Sequence, residues 1–289
     1  MQRSFEILVT GASGLLGHTL VPFLRQAGHE VTALGHSKSA AVDRLVDTTD
    51  EKVVRSVLDE VWPHVVINLV GLTNVDRCEE YLDEAWRLNV KSVETIAGWV
   101  GEVDDCRLIH VSTDQVYNGA GPHGEADVDI VNVYALSKYA GELAALSAGA
   151  TVLRTNFFGP SQLEGRTSFS DWALTVLLSG EAFTGFDDVF FSPLSMATLS
   201  RAIERVVQKP KTGVFNLGSH GGCSKADFIL SVARRFDLDA SAMRHGSQAD
   251  LDLKARRPDD MRMDSALFER TFDFILPDTN AEISGLENA

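Results

Sequence analysis

The stretch FEILVTGASGLLG, residues 5–17, decides the fold. Phe5–Thr10 is a short apolar run with strand character, and Leu15–Ala27 has helical spacing. Between them fall three glycines, Gly11, Gly14 and Gly17. Gly11 permits a tight turn, Gly14 lets backbone approach a pyrophosphate, and Gly17 lets helix and strand pack closely. The turn and first helical residues, Ser13, Gly14, Leu15, Leu16 and Gly17, then offer backbone N–H groups and the positive end of a helix dipole to the anion. The spacing is Gly-x-x-Gly-x-x-Gly, not the commoner Gly-x-Gly-x-x-Gly. A glycine triplet alone also suits a plain strand–helix turn; its place at the head of a βαβ rhythm makes it a dinucleotide site.

That rhythm continues outward. Glu30–Leu34, His64–Val70, Arg107–Val111 and Thr151–Arg154 read as strands; Val53–Val61, Tyr81–Val100 and Tyr134–Ser147 read as helices. The alternation predicts an α/β fold: a Rossmann-like, doubly wound parallel sheet with a smaller C-terminal substrate lobe. After Arg154 the pattern weakens. Ser168–Gly180, Ser195–Gln208 and Asp227–Phe236 look helical, and Val214–Leu217 looks like a strand. Residues 1–155 with a return segment at about 186–217 are expected to form the dinucleotide-binding domain, and about 156–185 with 218–289 the substrate lobe.

Composition excludes several classes. The 289 residues carry a formal charge of −15, which repels a nucleic-acid backbone. No apolar run approaches the roughly 20 residues of a membrane span, and the N-terminus enters a strand without a leader, so a cytoplasmic protein is expected. Cys78, Cys106 and Cys223 fit neither a disulfide framework nor a zinc pattern, and no metal site is legible.

The end of the second strand reports on the cofactor. A carboxylate there would bind the ribose hydroxyls and repel a 2′-phosphate. The residues are instead Leu34-Gly35-His36-Ser37-Lys38, with two basic groups and no acid, which favours NADP and leaves NAD as the alternative. Asp47 and Thr48 fall where the adenine is expected.

Tyr134 and Lys138 are four residues apart on a predicted helix and share a face. An ammonium beside a phenol favours the phenolate, bringing a pKa near 10 toward working pH. Such a pair can exchange a proton with a carbonyl or alcohol while a nicotinamide carries the hydride. Ser112-Thr113-Asp114-Gln115 follows the fourth expected strand, and a hydroxyl there can bond the same substrate oxygen.

With these motifs in order, the chain resembles the extended short-chain dehydrogenase/reductases, and among them the dTDP-4-dehydrorhamnose reductases and their relatives. The likeness rests on GASGLLG, on VVINLVGLTNVDRCEE at 65–80, on STDQVYNG at 112–119, on YALSKYAGE at 134–142, on VLRTNFFG at 152–159, and on Arg257-Pro258. It implies Thr113, Tyr134 and Lys138 as the catalytic trio, with Tyr134 the proton donor and Lys138 holding the nicotinamide ribose. It also implies that Leu69, Val70, Gly71 and Leu72 line the cofactor beside Val111, supported by Asn89. A nucleotide sugar is the implied substrate, and a homodimer is compatible with it. Two stretches depart from the family: Asn156-Phe157-Phe158 stands where a Trp is usual, and Phe186–Pro193 has unusual wording. A non-catalytic branch, the regulatory beta subunit of methionine adenosyltransferase, is similar through the same stretches.

Gln115 argues against a sugar 4,6-dehydratase, whose proton-moving Glu stands there, because an amide cannot act as that base. A 4-epimerase retains NAD and wants the missing ribose-binding acid. For the substrate, Thr113, Asp114 and Asn156 are expected near the sugar, and Arg166 and Arg257 near its diphosphate, since the planar guanidinium suits two parallel hydrogen bonds. The competing reading is that the basic cluster at 254–257 only offsets Asp250, Asp252, Asp259 and Asp260.

Overall fold

A computed structural model describes residues 3–286. In chain order the elements begin β1 (Glu6–Thr10), α1 (Leu15–Gln26), β2 (Glu30–Gly35), β3 (Arg44–Leu45), α2 (Glu51–Val61), β4 (Val65–Asn68), α3 (Val75–Glu80) and α4 (Leu82–Trp86). A π-helical turn, Arg87–Lys91, leads into α5 (Ser92–Glu102), β5 (Arg107–Thr113), α6 (Val133–Ser147) and β6 (Thr151–Thr155). Then come β7 (Phe157–Phe158), α7 (Phe169–Ser179), β8 (Phe183–Phe186), β9 (Phe190–Phe191), β10 (Leu194–Ser195), α8 (Met196–Gln208) and β11 (Gly213–Leu217). The chain finishes with β12 (Cys223–Ser224), α9 (Lys225–Phe236), β13 (Met243–Gly246), α10 (Ala266–Phe272) and α11 (Thr279–Ser284).

Two compact units result. One holds the chain up to Thr113 with Asn132–Arg154 and Ser200–Phe215; the other holds Asp114–Val131, Thr155–Leu199 and the chain from Asn216 onward. The first is built on a seven-stranded sheet in the order β11-β6-β5-β4-β1-β2-β3. β1 pairs in parallel with both β2 and β4, and β4 with β5. The chain winds one way from β1 to β3, then crosses to β4 and winds the other way. The strand order therefore reverses between β1 and β4, and their carboxyl ends, Thr10 and Asn68, flank the crevice where such sheets bind ligands. All four residues of β4 are buried, as a central strand covered on both faces requires. One face is closed by Leu8, Leu34, Val66 and Leu108 packing on Val54 and Leu58 of α2 and Ile96 and Trp99 of α5. Asp50 caps α2, its carboxylate accepting from the Lys52 and Val53 amides.

Periodicity predicts one helix over Tyr81–Val100; two α-helical pieces, α4 and α5, joined by a π turn stand there. Tyr81, at φ −126° and ψ 71°, lies outside helical space and separates α3 from α4. The π turn then inserts a residue that a 3.6-residue pattern does not reveal.

In the second unit, Ser168 and Asp171 form a reciprocal capping box that starts α7, and Ser224 caps α9 through the Asp227 amide. Its core is aromatic: Phe158, Phe191 and Phe228 are buried, and Phe228 meets Phe158 edge-on and Phe191 at a tilt. Three short pairs, β7–β10, β9–β12 and β8–β13, also form, and from the segment at about 186–217 the strand read at Val214–Leu217 joins the seven-stranded sheet as β11. The two-residue strands among them are too short to carry an alternation signal.

Candidate active site

The glycine turn has the geometry its spacing requires. Gly11 sits at φ +73°, and a Cβ there would lie 2.8 Å from the Leu69 carbonyl carbon. At Gly17 a Cβ would stand 2.5 Å from the Ala12 Cα, so α1 rests on the turn only because no side chain intervenes. Gly14 is the N-cap of α1 and supplies no side-chain cap, which leaves the first-turn amides of Leu15, Leu16 and Gly17 to a ligand. Ser13 is buried against Gly35. Beyond Gly35, His36, Ser37 and Lys38 are exposed, and Thr48 is half-buried. The Asp47 carboxylate accepts from the Thr49 amide (2.9 Å) and hydroxyl (2.7 Å). These bonds hold it below the usual carboxylate range, with the charges of His36 and Arg87 adding to the effect.

The wall after β4 is pinned twice. Asn68 Oδ1 accepts from Thr10 Oγ1 (2.6 Å) and from the Val70 amide (3.2 Å), and its amide nitrogen meets His110 Nδ1 at 3.1 Å. Burial, aided by the Lys138 charge, keeps the His110 pKa well below its ordinary value, so the ring is a neutral part of this network. Asn89, carried inward by the π turn, accepts from the Leu72 amide at 2.7 Å and donates to the Leu72 carbonyl and to Ser137 Oγ (2.8 Å). The π turn lies almost against α6: a Cβ on Gly141 would fall 2.3 Å from the Asn89 carbonyl oxygen.

Tyr134 and Lys138 are both buried on the first turns of α6, whose N-cap Asn132 accepts from the Ala135 amide. Lys138 Nζ donates to the Val111 carbonyl at 2.8 Å. It lies 3.7 Å from where a Gly71 Cβ would be, so Lys138 and the Leu69–Leu72 wall share one place. Burial pulls the Lys138 pKa down to about 8, and the Glu142 carboxylate opposes that fall. Glu142, one turn further along α6, accepts from Ser112 Oγ and from Arg154 Nε (3.0 Å) and Nη2 (2.6 Å), all fully buried or nearly so. Thr113, beside Ser112 at the end of β5, is buried as well. The first unit thus brings Lys138, Val111, Leu69–Leu72 and Asn89 together, with Tyr134 one turn before Lys138 on α6 and Thr113 at the end of β5. It adds Asn68, His110, Glu142 and Arg154, whose pattern looks like ordinary strand and helix interior.

The second unit contains a cavity of about 310 Å³ with largely apolar walls. Asn156 and Arg257 both line it, and Asn156 Nδ2 donates to Asp114 Oδ2 at 2.8 Å. Arg166 does not share it: that side chain lines a separate groove with Asp171, Thr175 and Phe236. Two of the four acids flanking Arg257 in sequence have side-chain partners. Asp260 is paired with Arg262 at 2.6 Å, and Asp259 accepts from Gln248 at 2.7 Å. Lys225, which reads as an ordinary charged residue at a helix start, lines the cavity too.

Burial pushes the Cys78 and Cys106 thiols up to about 11 and Cys223 to about 12, so none is a thiolate near neutrality. Among the described residues no group of three or more His, Cys, Asp or Glu could hold a metal ion, and no helix is long and apolar enough to cross a membrane.

Comparison with known proteins shows the family and the fold. The model of the RmlD substrate binding domain family matches residues 5–286. The probable low-salt glycan biosynthesis reductase of Haloferax volcanii is 30% identical, over 97% of each chain. A dTDP-4-dehydrorhamnose reductase of Aggregatibacter actinomycetemcomitans is 27% identical, over 92% of this chain and 93% of its own. Among solved structures, dTDP-4-dehydrorhamnose reductase from Bacillus anthracis, in complex with NADP, superposes with a TM-score of 0.87 at 22% identity, covering 97% of this chain and 98% of that one, and shows the shared fold.

Proposed function

Because the chain belongs to the RmlD substrate binding domain family, we propose that it is an NADPH-dependent reductase of a nucleotide-linked 4-keto-6-deoxy sugar. The observation that carries this reading is the buried Tyr134–Lys138 pair, with Lys138 fixed on the Val111 carbonyl beside the cofactor wall. The glycine cradle fits a dinucleotide: side chains are excluded at Gly11 and Gly17, and the N-terminus of α1 is left uncapped. Gly11–Gly17 would hold the pyrophosphate, His36, Ser37 and Lys38 the 2′-phosphate, Asp47 and Thr48 the adenine side, and Leu69–Leu72 with Asn89 and Val111 the nicotinamide end. The bound nicotinamide supplies the hydride for the carbonyl carbon.

The chain's own residues handle the rest. Thr113 and Tyr134 bond the carbonyl oxygen and polarise it. As negative charge grows on that oxygen, Tyr134 gives up its proton, and the Lys138 ammonium stabilises the phenolate left behind. In the second unit Asp114, Asn156 and Arg257 bind the nucleotide sugar, Arg257 through the diphosphate. Gln115 lines the cavity and has no carboxylate with which to move a proton, which supports simple reduction over dehydration. Decrease of NADPH absorbance with a panel of nucleotide-linked 4-keto sugars tests the reading. Tight NADPH binding without oxidation by any of them would instead support a regulatory dinucleotide-binding subunit.

Cofactor choice has its own test. A carboxylate at Gly35 is unsuitable, because a Cβ there would lie 2.5 Å from Val42 Cγ2 and 3.1 Å from Ser13 Cβ. His36 is exposed and can be changed without repacking. His36→Asp is expected to shift the NADPH-to-NADH affinity ratio at least about ten-fold toward NADH, through repulsion of the 2′-phosphate. Fluorescence titration of both cofactors reads it. A wild type that binds NADH as tightly as NADPH would show that this strand end does not select the phosphate.

A further inference from the structure

The cavity of the second unit holds a cation that the proposed reaction leaves without a role. Lys225, the first residue of α9, directs its Nζ over two rings, 3.4 Å from the centroid of Phe191 and 4.2 Å from that of Phe169. Among the described residues no carboxylate pairs with it within 4.0 Å. Asp114 acts on it from further away, with Oδ2 already accepting from Asn156. A half-buried ammonium in aromatic surroundings loses hydration that ring faces restore only in part.

The lining around it is electrically one-sided. The chain carries 41 acidic residues against 26 basic ones, yet the cavity is lined by Lys225 and Arg257 and by no Asp or Glu. In so acidic a protein, a cavity with two cations and no carboxylate is a place for an anion. Its flat apolar walls, Trp172, Phe186, Leu251 and Leu253 among them, suit a ring attached to that anion. Two cations match the two anionic phosphoryl groups of a sugar-linked diphosphate.

We propose that Lys225, held in place by Phe169 and Phe191, is a second diphosphate-binding residue beside Arg257, so that the cavity recognises a nucleoside diphosphate through paired charges on an apolar bed. The inference rests on the nucleotide-sugar reading above and names the residue that would set its selectivity for the anion. The aromatic cage fixes the ammonium in advance, so little side-chain freedom is lost when the ligand arrives. A cation held by rings instead of a carboxylate also keeps its charge less firmly. Burial lowers the Lys225 pKa to about 8, against the opposing influence of Asp114 and the Cys223 sulfur. Asp227, next on α9, is tied to Ser224 at 2.8 Å, and Arg257 is the other charged group of the lining. Affinity for a diphosphate should therefore fall as pH rises through about 8.

Calorimetric binding of dTDP and UDP to the intact protein tests this without turnover. Lys225→Met keeps the bulk of the side chain and removes the charge. It is expected to weaken dTDP or UDP binding by roughly ten-fold or more, while thymidine binding, NADPH affinity and the thermal midpoint stay as in the wild type. Lys225→Arg should retain binding at pH 7 and abolish the decline between pH 7 and 9. Unchanged nucleotide affinity in Lys225→Met overturns the inference alone. A loss confined to UDP-glucuronate and absent for UDP overturns it in favour of an acid on the sugar. Failure of the wild type to bind either nucleotide overturns the nucleotide-sugar reading together with it. If Lys225→Met does not fold, the wild-type pH dependence and the behaviour of Lys225→Arg still decide.

Discussion

Replacing Tyr134 by Phe is expected to lower turnover roughly 10²–10⁴-fold, the usual scale for a lost general acid, and to leave NADPH affinity close to that of the wild type. The separation of the two effects follows from the site. Tyr134 and Phe differ by one hydroxyl, and the ring is buried at the start of α6, so packing is conserved. The groups proposed to hold the dinucleotide lie elsewhere: the cradle at Gly11–Gly17 and the wall pinned by Asn68 and Asn89. Lys138→Ala should behave differently. Its amine sits on the Val111 carbonyl beside Gly71, so loss of the charge should weaken both cofactor binding and turnover. Single-turnover measurements alongside cofactor titrations distinguish the two variants. Full activity in Tyr134→Phe would remove this tyrosine from the chemistry.

Much of the first unit was legible in the sequence because its signals are local. Gly11 and Gly17 report close backbone approach directly, since a Cβ at either would fall within 3 Å of backbone atoms. Tyr134 and Lys138 are four residues apart on one helix, and a helix converts that spacing into proximity. What escaped depends on contacts distant in sequence. Asn68 and His110 are 42 residues apart and meet only because β4 and β5 pair in register. The π turn that carries Asn89 inward keeps the apolar pattern of a regular helix, so periodicity cannot announce it. In the second unit the local signals are weaker still. Arg166 and Arg257 look equivalent as isolated guanidinium groups, yet they line different hollows. Lys225 looks like a solvated helix-start lysine until β9 brings Phe191 beneath its amine. A charge by itself carries no address; the surrounding packing supplies it.

The second large effect is expected at Glu142, which touches neither proposed ligand. Its carboxylate is fully buried, and Arg154, its partner at 2.6 Å, is nearly so. Glu142→Gln would deprive the buried Arg154 guanidinium of the Glu142 charge. Breaking a buried pair on one side costs about 3–5 kcal/mol, readable as a lower denaturant midpoint at neutral pH. A second consequence concerns Lys138, four residues earlier on the same helix. In the wild type, burial lowers the Lys138 pKa from its ordinary 10.5 to about 8 and the Glu142 charge raises it. Removing that charge lets burial act with less opposition, so the ammonium is lost at a lower pH. The alkaline limb of kcat/KM is therefore expected to move to lower pH in Glu142→Gln. The stability linkage has the opposite sense. A lysine whose folded pKa lies below its unfolded value destabilises the fold while both forms are charged, below about 8, and that cost disappears as pH rises toward 10.5. For this group stability rises with pH over the window in which activity falls. Denaturant midpoints and kcat/KM profiles recorded on the same preparations between pH 7 and 10 would display the two trends together. A Glu142→Gln variant that loses stability but keeps the wild-type alkaline limb would confine Glu142 to anchoring Arg154 and Ser112.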